Sequence, residues 1–518
     1  MTDDYPAHRR SSPETLTHTI ARCMKTIELQ PDNAAAYNDL GAALQDKGDP
    51  GAAQRCYRKA VELDPDNAAA WGNLATLLLE EGRADEAIDC FRQALRRAPD
   101  NAGAYNNLGL ALLQGGMIDE AMTAYCKAIE LKPGSPAGHL NKGGLLQECG
   151  RLEEAAGCFR KALACDPQSA MAYINLGNVL KDDRQTAEAL QCYQKALDIE
   201  PDNAYAHWNL ALALLLTGNF PEGWKEYEWR RKTGDIRKQR AFRQPQWKGE
   251  ALQDRTILLH AEQGLGDTIQ FIRYVPLVAA QGAQVVVECH KELVSLVGNV
   301  EGVQRAVARG ERLPEFDMQC PLLTLPLVLG TTTETIPARV PYIAPDPSLL
   351  DNWGEKVRHD GSPLKVGLVW AGKMEHRHLR YRSCSLETLA PLGRLPGVSF
   401  YSLQKGEAAA QAKTPPEGMR LLDYTDDISD FSDTAALTAH LDLVLSIDTS
   451  VAHLAGAMGK EVWTLLPYEL DWRWMIDRED SPWYPTMRLF RQPCHGDWQS
   501  VVDRVKVELE SLRLRLSR

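Results

Sequence analysis

Over the first 230 or so positions, apolar residues recur at helical spacing in two runs per period, and each period closes on a proline. The prolines are Pro31, Pro65, Pro99, Pro133, Pro167 and Pro201, every interval being 34 residues. Six residues after each stands an aromatic or a histidine (Tyr37, Trp71, Tyr105, His139, Tyr173, His207). Ten residues after each stands a small one (Gly41, Ala75, Gly109, Gly143, Gly177, Ala211). Later in each unit Ala53, Ala87, Ala121, Ala155 and Ala189 precede Tyr57, Phe91, Tyr125, Phe159 and Tyr193 by four. Small residues let two helices approach closely, the aromatics fill the space beside them, and proline ends the second helix. The pattern predicts stacked helix–turn–helix units. Glu14 to Gln30 reads as the second helix of a partial first unit, and Met1 to about Pro13 as a short flexible tail outside the pattern.

The last unit departs from the series. Gly223 and Arg230 stand at its usual small positions, and "NFPEGWKEYEWRRK" is crowded with aromatics and charge. A terminal repeat must cap the stack or dock onto something, and with more chain following, docking is expected. One column carries chemistry. Eight residues after each proline stand Asp39, Asn73, Asn107, Asn141, Asn175 and Asn209, on the first helix of each unit. A carboxamide donates and accepts at once, so a ladder of these asparagines could hold the backbone of an extended peptide. The competing reading is a purely structural consensus position.

After about Arg240 the period stops. Strand-like runs now alternate with helical ones: "TILLHAE", "AQVVVECH", a short run near Val303–Val307, "LKVGLVWAG", "VSFYSLQ", "LDLVLSID", "KEVWTLLP" and "TMRLFRQ". Such alternation implies parallel sheets with helices on both faces. Proline-bearing "IPARVPYIAPDPS" reads as a linker. The expected fold is therefore an all-α repeat superhelix at 14–234, followed by two Rossmann-like α/β halves at 235–345 and 346–495. A C-terminal helix at 496–518 is expected to pack back across both halves.

Composition narrows the function classes. The 518 residues are 44% hydrophobic and 25% charged, with a formal charge of −12, which leaves no basic excess for a nucleic-acid partner. No apolar run is long enough for a membrane span, and the amino terminus carries no secretory signal. A cytoplasmic location with reduced thiols is the resulting expectation. The twelve cysteines form no C-x-x-C pair, and no metal is expected.

In such sheets, ligands bind beyond the carboxyl ends of the strands. "LVLSIDTSVAHLAGAMG" delivers Asp448, Thr449 and Ser450 to the start of a helix, with His453 one turn in. Exposed N–H groups and the helix dipole favour an anion such as a diphosphate there. The alternative is a capped buried helix with a core histidine. Arg380, Arg382 and Ser383 follow the strand "LKVGLVWAG", and arginine forks pair well with phosphate. Gln404 and Lys405 follow another strand and are candidate nucleotide contacts. Trp472, Trp474, Trp483 and Tyr484 read as packing residues between the halves.

The 34-residue unit resembles the tetratricopeptide repeat. The second half, with "QGLGDT" on its first strand–helix turn and "DTSVAHLAGAMGK" late, is similar to GT-B glycosyltransferases, most closely the heptosyltransferase type of family nine. Repeats ahead of such a pair resemble the O-linked N-acetylglucosamine transferase architecture. This resemblance implies a nucleotide-sugar held by the second half and an acceptor approaching from the first, in a metal-free transfer. "AEQGLGDTIQFIRY" does not follow G-x-G-x-x-G, since Ile269 stands at the last glycine position. The resemblance makes Asp267, beside Gly266, the base that takes the acceptor hydroxyl's proton, with Arg382, Lys405 and the Asp448–Ser450 turn on the diphosphate. An N-terminal helix cap is the alternative role for Asp267. Two rivals to protein glycosylation stay open: a repeat scaffold with a degenerate transferase-like module, and transfer onto a surface or lipid-linked glycan.

Overall fold

A computed structural model describes residues 13–234, 242–358, 360–372 and 382–516. Arg380 and most of the amino-terminal tail lie outside these residues. The chain divides into two compact units between Val179 and Leu180.

Thirteen helices run from Pro13–Leu29 to Phe220–Tyr227, and the partial first unit is present as a single helix. Each proline lies in the turn between units. Two residues on, Asn33, Asn67 and Asn101 each cap the next helix, their side chains accepting the N–H of Ala36, Ala70 and Ala104 at 2.9–3.0 Å. The small column works as its chemistry suggests. A Cβ on Gly41 would come within 2.6 Å of the Tyr57 ring, and one on Gly143 within 2.7 Å of Phe159. Ala53, Ala87, Ala121 and Ala155 are wholly buried, as are the aromatics four positions later.

The second unit holds the last repeats and two open, all-parallel sheets. The first sheet contains β1 (Thr256–His260), β2 (Gln284–Cys289), β3 (Val303–Ala308) and β4 (Met318–Pro321), in the order β3-β2-β1-β4. The second contains β5 (Leu364–Val369), β6 (Val398–Ser402), β7 (Leu421–Asp423), β8 (Leu443–Ile447), β9 (Val462–Leu466) and β10 (Met487–Arg491), in the order β10-β9-β8-β5-β6-β7. β7 is only three residues long and has no counterpart among the expected strands. The order of strand addition reverses between β1 and β4 in one sheet and between β5 and β8 in the other. Crevices at these switch points are the favoured ligand sites of parallel sheets.

The segment between the sheets is no free spacer, since Tyr342 N–H donates to Ala457 O at 3.0 Å. One expectation is corrected. The helix Trp498–Leu516 does not span both sheets: Val501, Val502, Val505, Leu509 and Leu512 all join the core of the second. A helix pairs with the apolar surface that its stripe matches, here that of the second sheet.

Adjacent glycines of the helix Pro136–Glu148 give opposite expectations. At Gly144 an added Cβ meets nothing within 4 Å, so Gly144→Ala should raise stability by about 0.5–1 kcal/mol. At Gly143 the same methyl group meets Phe159, and overpacking of about 1–3 kcal/mol outweighs that gain. Denaturant midpoints of the two variants should move in opposite directions.

Candidate functional site

The turn after β1 and the turn after β8 meet. The helix Leu265–Phe271 begins where β1 ends, and the helix Ser450–Ala457 where β8 ends. Their first turns touch at Gly266, where a Cβ would lie 2.9 Å from His453 Cδ2 and 3.5 Å from Ser450 Cα. Only glycine allows this approach. Gly264, extended at φ −71° and ψ 176°, is the residue before the helix, and its N–H donates to Asp267 Oδ2 at 3.0 Å. The cap role of Asp267 is thus realised, from the third helical position.

The other oxygen of Asp267 accepts from Arg473 Nη2. Arg473 lies between β9 and β10, so this ion pair ties the two sheets together. The same guanidinium donates from Nη1 to Asp471 at 3.1 and 3.2 Å and from Nε to Gln270 Oε1 at 3.0 Å. Burial opposes the charge of Arg473, but Asp471 and Asp267 hold its pKa well above the ordinary value. Burial likewise works against Asp471, and Arg473 and Arg382 hold it below the ordinary aspartate value. Asp448 goes the other way: burial and the neighbouring Asp471 carboxylate push it up to about 6, against the pull of Arg473 and Arg382.

His453 is 4% exposed. Its Nδ1 pairs with the Tyr484 hydroxyl at 2.9 Å, and its ring stacks on Trp474 at 5.3 Å. Burial and the charge of Arg473 depress its pKa to about 3, so it is neutral. It fits the core-histidine alternative, although Nε2 comes within 3.9 Å of Asp448 Oδ1. Asp448, Thr449 and Ser450 remain half-exposed on the rim, with the Thr449 hydroxyl paired to Ser446 at 3.0 Å.

The remaining candidates of the second sheet divide. Arg382 is exposed and close enough to act on both Asp448 and Asp471. Ser383 Oγ accepts the Gly372 N–H at 3.1 Å. Gln404 is 3% exposed and uses its whole carboxamide on backbone. Oε1 takes the N–H groups of Trp370 and Ala371, and Nε2 donates to Ala371 O and Lys405 O. It therefore shapes the loop after β5 at the switch point. Lys405 Nζ turns to Thr425 O and Ile428 O at 2.5 and 3.1 Å. Both residues are committed to loop architecture in this conformation.

The first sheet's switch point is filled by the last repeat. Arg230 is wholly buried, donating from Nη2 to Glu262 just after β1 at 2.5 Å and to Thr324 just after β4 at 2.9 Å. Nη1 reaches Glu228 at 2.7 Å. Burial disfavours this cation, and Glu262 and Glu228 more than compensate, raising its pKa. Around it, Trp224 packs edge-on against Phe271 and Trp472, with centroids at 6.3 and 5.4 Å, and donates to Thr331 O at 3.1 Å. Phe220 stacks on Trp483 at 6.1 Å. Docking of the terminal unit, expected from its unusual residues, is what this junction accomplishes.

All five candidate asparagines are partly exposed on the first helix of their units. Asn73 donates to Asn38 and Asn141 to Asn106, each at 2.9 Å across one repeat, and Asn209 donates to Tyr205 O. Each of these bonds uses one amide hydrogen of the carboxamide. Asn107 is also partnered, and Asn175 shares the same position on its helix.

Family models described as tetratricopeptide repeat match residues 38–92, 73–136 and 158–191, and one described as TPR repeat matches 185–218. The first 230 or so residues are tetratricopeptide repeats. Protein FlbA of Caulobacter vibrioides is 29% identical over 334 residues, covering 58% of this chain and 54% of that protein. The chain thus spans about half the length of the curated relative it matches. Similar solved structures include YrrB, described as a TPR protein with an unusual peptide-binding site, at 28% identity and TM-score 0.31 over 36% of this chain and 95% of that one. PilF of Pseudomonas aeruginosa aligns at 23% identity and TM-score 0.34, over 38% and 87%.

Beyond the tetratricopeptide repeats, the residues that sequence reasoning missed are Asp471, Arg473 and Gln270. Arg473 sits between two tryptophans assigned to packing, and that assignment holds: Trp472 and Trp474 are 3% and 1% exposed. A charge flanked by two buried aromatics was the signal available. Among the described residues no group of three His, Cys, Asp or Glu is placed to hold a metal ion, and no helix is long and apolar enough to cross a membrane. Surface hollows of about 300 and 490 Å³ lie elsewhere, beside Gly354 and His440 and beside Phe490 and Val507.

The titrations have opposite signs. His453 is lowered from 6.5 to about 3, so as pH falls through that window the unfolded chain takes up a proton that the folded chain refuses, and stability is lost. Asp448 is raised from 3.8 to about 6, so its contribution is present below the lower value and lost as pH rises through the upper one. Between pH 6.5 and about 4, His453→Gln should flatten the fall in denaturant midpoint, and Asp448→Asn should steepen it. Arg230→Ala, which strands two carboxylates, should cost about 3–5 kcal/mol in the same assay.

Proposed function

We propose that the second unit is a glycosyltransferase of GT-B type, built of two Rossmann-like halves, that takes a sugar from a nucleotide donor. The tetratricopeptide groove presents a protein acceptor or companion. The observation that carries this reading is the meeting of the Asp267 turn with the Asp448–Ser450 turn, each at the carboxyl edge of a parallel sheet. A carboxylate on one side and an amide-rich helix start with Arg382 on the other suit attack by a hydroxyl and departure of a diphosphate. The asparagine column, partly exposed on the first helix of each repeat, suits capture of an extended backbone.

Asp267 acts as base on the acceptor hydroxyl, and Arg382 with the Ser450 helix start receives the leaving diphosphate. A second reading, a scaffold without turnover, draws support from the bonds of Asp267 itself. Both its oxygens are engaged, by Gly264 N–H and Arg473, so a structural task already accounts for the residue.

Calorimetry against UDP-, GDP- and ADP-sugars separates the two. Binding of at least one is expected, and binding of none favours the scaffold. With a donor in hand, Asp267→Asn should lower the transfer rate by about 10²–10⁴-fold while donor binding persists. Full transfer by that variant would remove Asp267 from the chemistry.

A further inference from the structure

The ion pair joining the two sheets is formed by partners 206 residues apart and covers the carboxylate that the transfer reading needs free. We propose that the Arg473–Asp267 bridge is a latch. It holds the carboxyl edges of the two sheets together and keeps Asp267 neutralised until a diphosphate-bearing ligand takes over the guanidinium. The ligand class rests on the nucleotide-sugar reading; the closure does not.

Four observations carry it. The first turns of the two helices are already in contact at Gly266, so no diphosphate fits between them while the bridge is made. The backbone of Arg473 is fixed between two buried tryptophans, so its side chain can change partners without the loop moving. Gln270, wholly buried beside the guanidinium, has an amide nitrogen with no acceptor. A buried donor left unpaired is costly, and an incoming phosphate oxygen would satisfy it. Finally, Arg382 and the half-exposed Asp448–Ser450 rim mark an entry from solvent. The planar fork that now meets carboxylate oxygens meets phosphate oxygens equally well. Asp471, bonded to Nη1, keeps its hold on Arg473 throughout.

The loop bearing Arg473 is also braced by the last repeats. Arg184 stacks on Tyr468 at 4.5 Å and pairs with Asp477 at 3.6 Å, and Trp224 packs on Trp472. The latch therefore has a rigid frame on its repeat side.

The test uses the full chain, its Asp267→Asn variant and its Arg473→Lys variant. Without ligand, amide hydrogen exchange over 265–271 and 450–457 should rise about tenfold in both variants. Titration with UDP, GDP, ADP and inorganic pyrophosphate should then split them. Asp267→Asn should bind about tenfold more tightly than wild type, because no bridge has to be broken first. Arg473→Lys, lacking the fork, should bind more weakly. Preference for a nucleotide over pyrophosphate identifies the source of the diphosphate. Unchanged exchange in both variants overturns the latch whatever binds. Weaker binding by Asp267→Asn overturns the trigger. If no protein binds any of the four, the nucleotide reading falls and the trigger with it, while raised exchange still supports closure by the bridge.

Discussion

A guanidinium removed from water must be matched by charge and hydrogen bonds where it lies, and Arg473 and Arg230 are two such groups in the second unit. Arg473 is matched by carboxylates from both sheets, Asp267 and Asp471, together with the Gln270 amide. A buried pair of this kind contributes little net stability against a well-packed apolar alternative, yet losing one partner is costly. What it confers is geometry. The Asp267–Arg473 pair holds the two sheet edges in the arrangement that also places Gly266 on His453.

Arg230 does the same for the repeats. It crosses from the last tetratricopeptide helix to the ends of β1 and β4, and the aromatic side chains around it exclude water from the contact. A crevice open to ligands in other parallel sheets is here filled by the protein's own side chain. The last repeat is consequently part of the wall behind the candidate site. At the second sheet's switch point, Arg382 is exposed and the Asp448–Ser450 rim half-exposed.

Much of this was legible in the residues. The tetratricopeptide period follows from a small-residue and aromatic register that the packing at Gly41 and Gly143 explains. The strands after Arg240 follow from apolar runs broken by turns, except β4 and β7, whose four and three residues are too few to carry a pattern. Asp267 and Asp448 were legible as candidates because each ends a strand and opens a helix. Gln404 and Lys405 looked alike on paper and are both drawn into backbone contacts, since a polar residue at a strand end serves a loop as readily as a ligand.

By itself, the sequence determined what repeats locally: helix pairs, strand runs, capped turns, and a last unit too aromatic to face water. These depend on spacing along the chain and on side-chain size and polarity, which any short window displays. Only the tertiary structure decided which charges meet. The partner of Asp267 lies 206 residues away, and the counter-ions of Arg230 lie 32 residues downstream at Glu262 and two residues upstream at Glu228. Electrostatic pairing depends on distance through space and on exclusion of water, and neither quantity exists until the sheets and the final repeat have closed on one another.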